Sequence, residues 1–294
     1  MAHTIGIVGG TGLYHLEGLT DQKWVKVDSP FGAPSDELLV GKLGELRVVF
    51  LPRHGRGHRI PPHEINFPAN IDALKRAGAT QVISVSAVGS LRADLPPGTF
   101  VIVDQFIDRT LRKPNTFFGT GVVAHVPMGH PVCKRLASHL YASGEALALD
   151  VVKGGTYVVM EGPQFSTLAE SELHRSWQAD VIGMTNMPEA KLAREAELCY
   201  ATIAMVTDFD CWHPDHEHVE VADVIRVIGE NSGNARKLLA HAIPRAAGDA
   251  APCPHGCDRA LDNAILTAPD ARDPRLVERL DAVAGRVLRR SGAA

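Results

Sequence analysis

The sequence has no basic tract. Its 30 lysines and arginines are outnumbered by 34 aspartates and glutamates, for a formal charge of -4. No stretch could neutralise a phosphate backbone, so nucleic acid is excluded as a general partner. There is no run of about 18 apolar residues, so no membrane span is expected. The opening Met1-Ala2-His3-Thr4 lacks the basic region and apolar stretch of a signal peptide. Cysteine is scarce, with five in 294 residues. Cys133, Cys199 and Cys211 stand apart in apolar or mixed contexts and read as buried thiols, which fits a reducing, cytoplasmic setting. No internal repeat and no low-complexity linker divides the chain. One domain spanning 1–294 is expected, with a C-terminal appendage from about residue 247, where Pro252, Pro254, Gly256 and Pro269 break the pattern.

What is present is 45% hydrophobic and 22% charged, an ordinary globular balance. Apolar, β-branched runs recur at Ile5–Val8, Leu46–Leu51, Gln81–Val85, Phe100–Val103, Thr156–Met160, Val181–Met184 and Ala201–Val206. They show little strict alternation, which predicts strands buried on both faces. Helical spacing appears over Pro68–Ala77, Cys133–Leu149, Glu189–Leu198, Val221–Ala242 and a final amphipathic stretch, Asp273–Arg290. The alternation predicts the α/β class, a single domain with a mixed central β-sheet flanked by helices.

The chemistry gathers where apolar runs end. Ile5-Gly6-Ile7-Val8 breaks into Gly9-Gly10-Thr11-Gly12. Glycines permit close backbone approach, so successive N–H groups and the Thr11 hydroxyl can converge on one anion. The spacing is not a dinucleotide fingerprint, and Asp28 sits in a non-strand context, so a phosphate is favoured over a nicotinamide cofactor. Leu51 leads into Pro52-Arg53-His54-Gly55-Arg56-Gly57-His58, a cationic mouth whose arginine forks suit an oxyanion. Ser86 lies in a run that ends in small residues and hydroxyls; it is a third phosphate contact or part of a tight turn.

Further along, Glu161 is a carboxylate that needs a partner, and Phe165 offers either a stacking face or core volume. Met184 suits the underside of a sugar ring or a core edge. Asp208 and Asp210 end the last strong apolar run. They can accept from amino groups, or one can hold a proton and act as an acid, with a metal site as the rival reading. His213-x-x-His216-x-His218 is not a zinc spacing and contains Pro214, so a polar surface loop is expected. Cys253-Pro254-His255-Gly256-Cys257 could pair or ligate a metal; free thiols are the expectation in a cytoplasmic chain.

These motifs, with Ser90-Leu91-Arg92 and Asp104-Gln105-Phe106-Ile107-Asp108-Arg109-Thr110, run in one order from about residue 5 to residue 245. In that order they resemble the 5′-methylthioadenosine phosphorylases of the trimeric purine nucleoside phosphorylase family. The resemblance implies reversible phosphorolysis, in which phosphate attacks the anomeric carbon and releases the purine. It implies that Thr11, Arg53, His54, Ser86, Ala87 and Thr185 hold phosphate, with Ser86 standing where a threonine is common. It places Met184 against the ribose, Phe165 against the base, Asp208 at the imidazole-ring nitrogen of the purine and Asp210 at the exocyclic amine.

Val221 and Val224 would line an apolar 5′ pocket, with His125 reaching in from a neighbouring subunit of a homotrimer or homohexamer. Two acceptors favour a 6-amino purine, and two valines favour a thioether. A phosphorylase for 6-oxopurine nucleosides or methylthioinosine is the nearest alternative. A non-catalytic nucleotide-binding protein is the alternative from another class. Neither metal nor cofactor is implied; inorganic phosphate is a co-substrate.

Overall fold

The apolar runs form the middle of one mixed sheet. The computed structural model describes residues 4–10, 12–214, 221–248 and 252–289. Among these, eleven strands occur in chain order: β1 (Thr4–Gly9), β2 (Leu19–Val25), β3 (Leu38–Leu43), β4 (Leu46–Pro52), β5 (Ala79–Ser90), β6 (Phe100–Ile102), β7 (Gln105–Asp108), β8 (Val151–Lys153), β9 (Thr156–Val159), β10 (Val181–Gly183) and β11 (Cys199–Asp208). The helices are α1 (Phe67–Arg76), α2 (Lys134–Ala146), α3 (Leu168–Ser176), α4 (Asn186–Glu195), α5 (Val221–Gly248), α6 (Pro274–Arg279) and α7 (Gly285–Leu288).

The sheet runs β2-β3-β4-β1-β5-β10-β9-β7, and β11 pairs with β5 and β6. Strands β4, β1, β5 and β11 are mutually parallel, so their carboxyl ends share one edge. Strand β10 runs antiparallel to β5, with Ile182 opposite Gly89. One apolar layer carries Val8, Leu51, Ile71, Leu74, Leu192 and Tyr200; the other carries Ile5, Ile7, Phe50, Leu136, Leu140, Leu238 and Ile243. Each layer is a helix stripe pressed on one sheet face, as a sheet buried on both sides requires.

One expectation needs correction. The stretch Asp273–Arg290 is not one helix: α6 ends at Arg279 and α7 begins at Gly285, separated by turn. Between them the Asp281 carboxylate is held by Arg76, and its carbonyl accepts from Arg289 Nη2. The segment after residue 247 contributes to the core. Its Leu261, Leu280, Val283 and Leu288 belong to the same buried layer as Val8 and Leu51.

Candidate active site

The parallel strand ends bring most of the singled-out residues to one sheet edge. Arg53 follows β4, and its backbone N–H donates to the Gly9 carbonyl of β1 at 3.0 Å, which ties the two loops together. Continuing the antiparallel register of β10 beyond Ile182–Gly89 carries Thr185 toward Ser86. Asp208 at the tip of β11 stands opposite Gly89 of β5. Thr11 lies outside the described residues.

Arg53 is buried, with 1% of its surface exposed. Its Nε and Nη2 donate to the two oxygens of Glu189 at 2.9 and 3.2 Å, Nη2 also donates to Ser84 Oγ at 2.6 Å, and Nη1 donates to the Val85 carbonyl at 3.0 Å. The fork read from sequence as an oxyanion clamp therefore grips a carboxylate of its own chain. One N–H of Nη1 is left for other partners. The network extends further: Tyr200 Oη donates to Glu189 at 2.9 Å, and the Asn186 amide donates to Tyr200 Oη and Thr202 Oγ1. Ser86 Oγ donates to Asn186 Oδ1 at 3.1 Å, so this buried framework fixes Ser86.

Sequence reasoning passed over Glu189, Asn186, Tyr200 and Ser84 as functional supports. The signal was available for Glu189, because a glutamate among apolar helix residues must find a cation.

Thr185 is buried and its hydroxyl has no hydrogen-bond partner. Such an atom is costly unless something polar reaches it. Beside it, Tyr157 Oη lies 3.5 Å from Ser86 Oγ. Gly183 makes this possible, since a Cβ there would fall 2.1 Å from the tyrosine oxygen. Ala87, half-buried, follows Ser86 within β5. His54 Nδ1 lies 2.9 Å from the Ile60 carbonyl, which can only accept, so Nδ1 carries the hydrogen. Burial, with the Arg53 charge behind it, lowers the imidazole pKa to about 4. The ring is neutral near pH 7, and its Nε2 is an acceptor.

The two carboxylates form the other wall. Asp208 Oδ2 accepts from Thr207 Oγ1 at 2.7 Å, and Oδ1 accepts from the Asp210 backbone N–H at 2.8 Å. Asp210 takes the left-handed conformation (φ 52°), is buried, and leaves Oδ2 without a partner. Burial raises the pKa of both. For Asp210 the neighbouring Asp208 raises it further, while the Ser171 and Ser166 hydroxyls pull it down. These two acids are therefore desolvated and adjacent, and among the described residues no cation pairs with either, a combination that marks proton-handling sites.

The loop after β9 spans the two walls. A Cβ on Gly162 would meet Met184 Sδ at 2.5 Å, and Cys211 Sγ donates to the Ser166 carbonyl at 3.4 Å. Glu161, only half-buried, finds partners in the Leu111 N–H at 2.8 Å and in Arg112. Phe165, on this loop, is 44% exposed and is not core.

Comparison with known sequences decides the family. The sequence model of the phosphorylase superfamily matches residues 4–244. The chain belongs to the phosphorylase superfamily. This superfamily member is 58% identical over 285 residues to an S-methyl-5′-thioadenosine phosphorylase of Bradyrhizobium diazoefficiens, covering 97% of this chain and 98% of that protein. It is 56% identical over 289 residues to one of Cereibacter sphaeroides, covering 98% and 100%. Among solved structures, a methylthioadenosine phosphorylase from an antarctic soil metagenomic library superposes with a TM-score of 0.90 at 45% identity, over 96% of this chain and 99% of that one. A variant adenosine/methylthioadenosine phosphorylase of Schistosoma mansoni in complex with methylthioadenosine gives a TM-score of 0.77 at 38% identity, over 84% and 92%.

Three further expected site residues of the superfamily chain lie on other elements. Val221 (60% exposed) and half-buried Val224 open the first turns of α5. His125 is exposed on the segment between β7 and α2, where its backbone N–H donates to the Ala264 carbonyl. Residues 215–220, which include His216 and His218, lie outside the described residues. Among the described residues no helix is long and apolar enough to cross a membrane.

Proposed function

We propose that the protein catalyses the reversible phosphorolysis of 5′-methylthioadenosine to adenine and 5-methylthioribose 1-phosphate. The observation that carries this reading is the pairing of a buried hydroxyl-rich strand edge with two adjacent carboxylates at the next strand tip, half-buried Asp208 and buried Asp210, which meet no cation among the described residues. The names of the closely similar relatives point the same way.

In this reading phosphate is cradled by Thr185 Oγ1, Ser86 Oγ, the Ala87 backbone, the glycine loop with Thr11, and the remaining N–H of Arg53. His54 contributes as an acceptor, so it takes a hydrogen bond from the protonated oxygen of monohydrogen phosphate. The phosphate sits below the ribose, with Met184 against the sugar and Phe165 on the base. Positive charge grows on the sugar as the glycosidic bond stretches, and the held anion stabilises it. Holding the nucleophile in line also removes the entropy of a two-body encounter.

The departing purine gathers negative charge. An exocyclic amine donating to Asp210 favours that carboxylate's charged form. The new charge beside Asp208 then favours the protonated form of Asp208, which delivers its proton to the imidazole-ring nitrogen. A 6-oxo group offers no such donor, so the proton is less well placed for hypoxanthine. Val221 and Val224 receive the methylthio group, and His125 completes that pocket from another copy in a cyclic homotrimer. We place the enzyme in the cytoplasm. No metal or organic cofactor enters the reaction, since phosphate itself is the nucleophile.

Adenine release from methylthioadenosine, measured with and without phosphate beside inosine and methylthioinosine, tests the reading. Strictly phosphate-dependent release with methylthioadenosine preferred is expected. Equal turnover of inosine would overturn the base assignment, and no release under either condition would point to a binding protein.

A further inference from the structure

Two of the three cysteines expected to stand apart, Cys133 and Cys199, meet Cys253 and Cys257 in the fold, whereas Cys211 stays apart. Cys133, Cys199, Cys253 and Cys257 are all buried and unbonded, and their sulfur atoms lie within 4.8 Å of one another. Cys133 is the N-cap residue of α2, and its N–H donates to the Tyr200 carbonyl at 2.7 Å. Cys199 begins β11. Cys253 and Cys257 bracket a turn closed by the Gly256 N–H on the Cys253 carbonyl at 2.9 Å, with Gly256 in the left-handed conformation. Three distant chain segments thus place four thiols around one point.

We propose that these four cysteines form a tetrahedral site for one thiophilic divalent ion, zinc by its chemistry, that fastens the chain following α5 to the core. A tetrahedral zinc with sulfur at about 2.3 Å sets its ligands roughly 3.8 Å apart. The Cys133 and Cys253 sulfurs stand 3.7 Å apart. Four protein ligands close the coordination sphere, which is the mark of a structural rather than a catalytic ion.

The surroundings suit the charge. Each thiol that ligates the ion gives up its proton, so a divalent ion with four thiolates carries a net charge of about −2. Arg135 Nη2 reaches the Cys199 sulfur at 3.9 Å, and Arg194 Nη1 reaches the Cys257 sulfur at 3.6 Å. Two guanidinium groups donating to the ligating sulfurs orient them and offset that charge. The site is remote from the proposed chemistry. Cys199 and Asp208 are the two ends of β11, separated by about 30 Å of extended chain. The assignment therefore holds or fails independently of the proposed phosphorolysis.

Metal analysis of the full-length protein, purified under reducing conditions without chelator, is expected to find about one zinc per chain. Exchange into Co²⁺ should give the visible bands of a tetrahedral thiolate complex. A Cys253→Ser, Cys257→Ser double variant should lose both signals, whereas Cys211→Ser should keep them. A strong chelator should lower the melting temperature of the wild-type protein. Metal-free wild-type protein that fails to take up Co²⁺ would overturn the assignment even if the double variant does not fold. Peptide mapping that found disulfides among these four residues after purification under reducing conditions would overturn it as well.

Discussion

At the scale of single residues, the carboxylate wall makes separable demands. Asp208→Asn removes the proton donor but preserves shape, and general acid catalysis is worth roughly 10²–10⁴-fold. Turnover should fall by about 10²-fold or more while phosphate binding, read by calorimetry, stays near wild type. Asp210→Asn replaces a pure acceptor with a group that also donates. The ratio of kcat/KM for methylthioadenosine over methylthioinosine should then fall by about 10-fold or more, as expected when a buried polar group gains or loses its match. Loss of activity toward both substrates with no change in ratio would refute the role given to Asp210.

His54 makes a pH prediction. Its pKa is lowered to about 4, whereas an ordinary histidine, including one in an unfolded chain, titrates near 6.5. Between those values the unfolded chain binds a proton that the native state refuses. This group's share of stability is present above pH 6.5 and is lost as the pH falls toward 4. An NMR titration should find the His54 ring neutral, with Nδ1 protonated, at pH 6. A midpoint near 6.5 would contradict the buried, carbonyl-anchored ring.

At the scale of elements, Arg53 and Glu189 show how strand β4 and helix α4 are locked. Breaking a buried ion pair from one side costs about 3–5 kcal/mol, because the surviving charge is stranded. Arg53→Met should destabilise by about that much in urea unfolding. Adding Glu189→Leu should recover a large part of the loss, although Tyr200 then loses its acceptor. Simple additivity of the two changes would mean the pair is not coupled.

This pair also shows where sequence reading stops. The central strands were legible because β-branched runs buried on both faces are unambiguous, and the site motifs followed because the runs end in glycine, hydroxyl or carboxylate, or, after Leu51, in the basic Arg53-His54. The edge strand β2 was not legible. Its Thr20, Asp21, Gln22 and Lys23 are exposed and carry no strand pattern; Thr20 and Lys23 pair with β3, and the register shifts between them, where Asp21 takes a left-handed φ of 52°. The destination of the Arg53 fork was equally hidden, because its partner lies 136 residues away. The four thiols were missed for the same reason: the spacing of Cys253 and Cys257 was visible, but not their convergence with Cys133 and Cys199.

At the scale of the whole molecule, the proposed 5′ pocket is incomplete in one chain. Val221 is largely exposed, and His125 is carried by a segment that also exposes Val123, with Leu266 packed beside it through a hydrogen bond to the Val123 carbonyl. Leu266 is 68% exposed and Leu111 is 86% exposed, apolar surface that a second copy would cover. In a three-fold ring each site would combine one chain's Asp208 with its neighbour's His125. This makes complementation countable. Chains carrying Asp208→Asn have no working site of their own but offer an intact His125, and chains carrying His125→Ala have the reverse. Any ring that mixes the two has one place where an intact Asp208 meets an intact His125. Purified mixed rings should therefore show about one third of wild-type activity at low substrate, well above either parent. Activity no greater than that of the parents would mean that His125 serves its own chain, or no site at all, and the ring would lose its catalytic rationale.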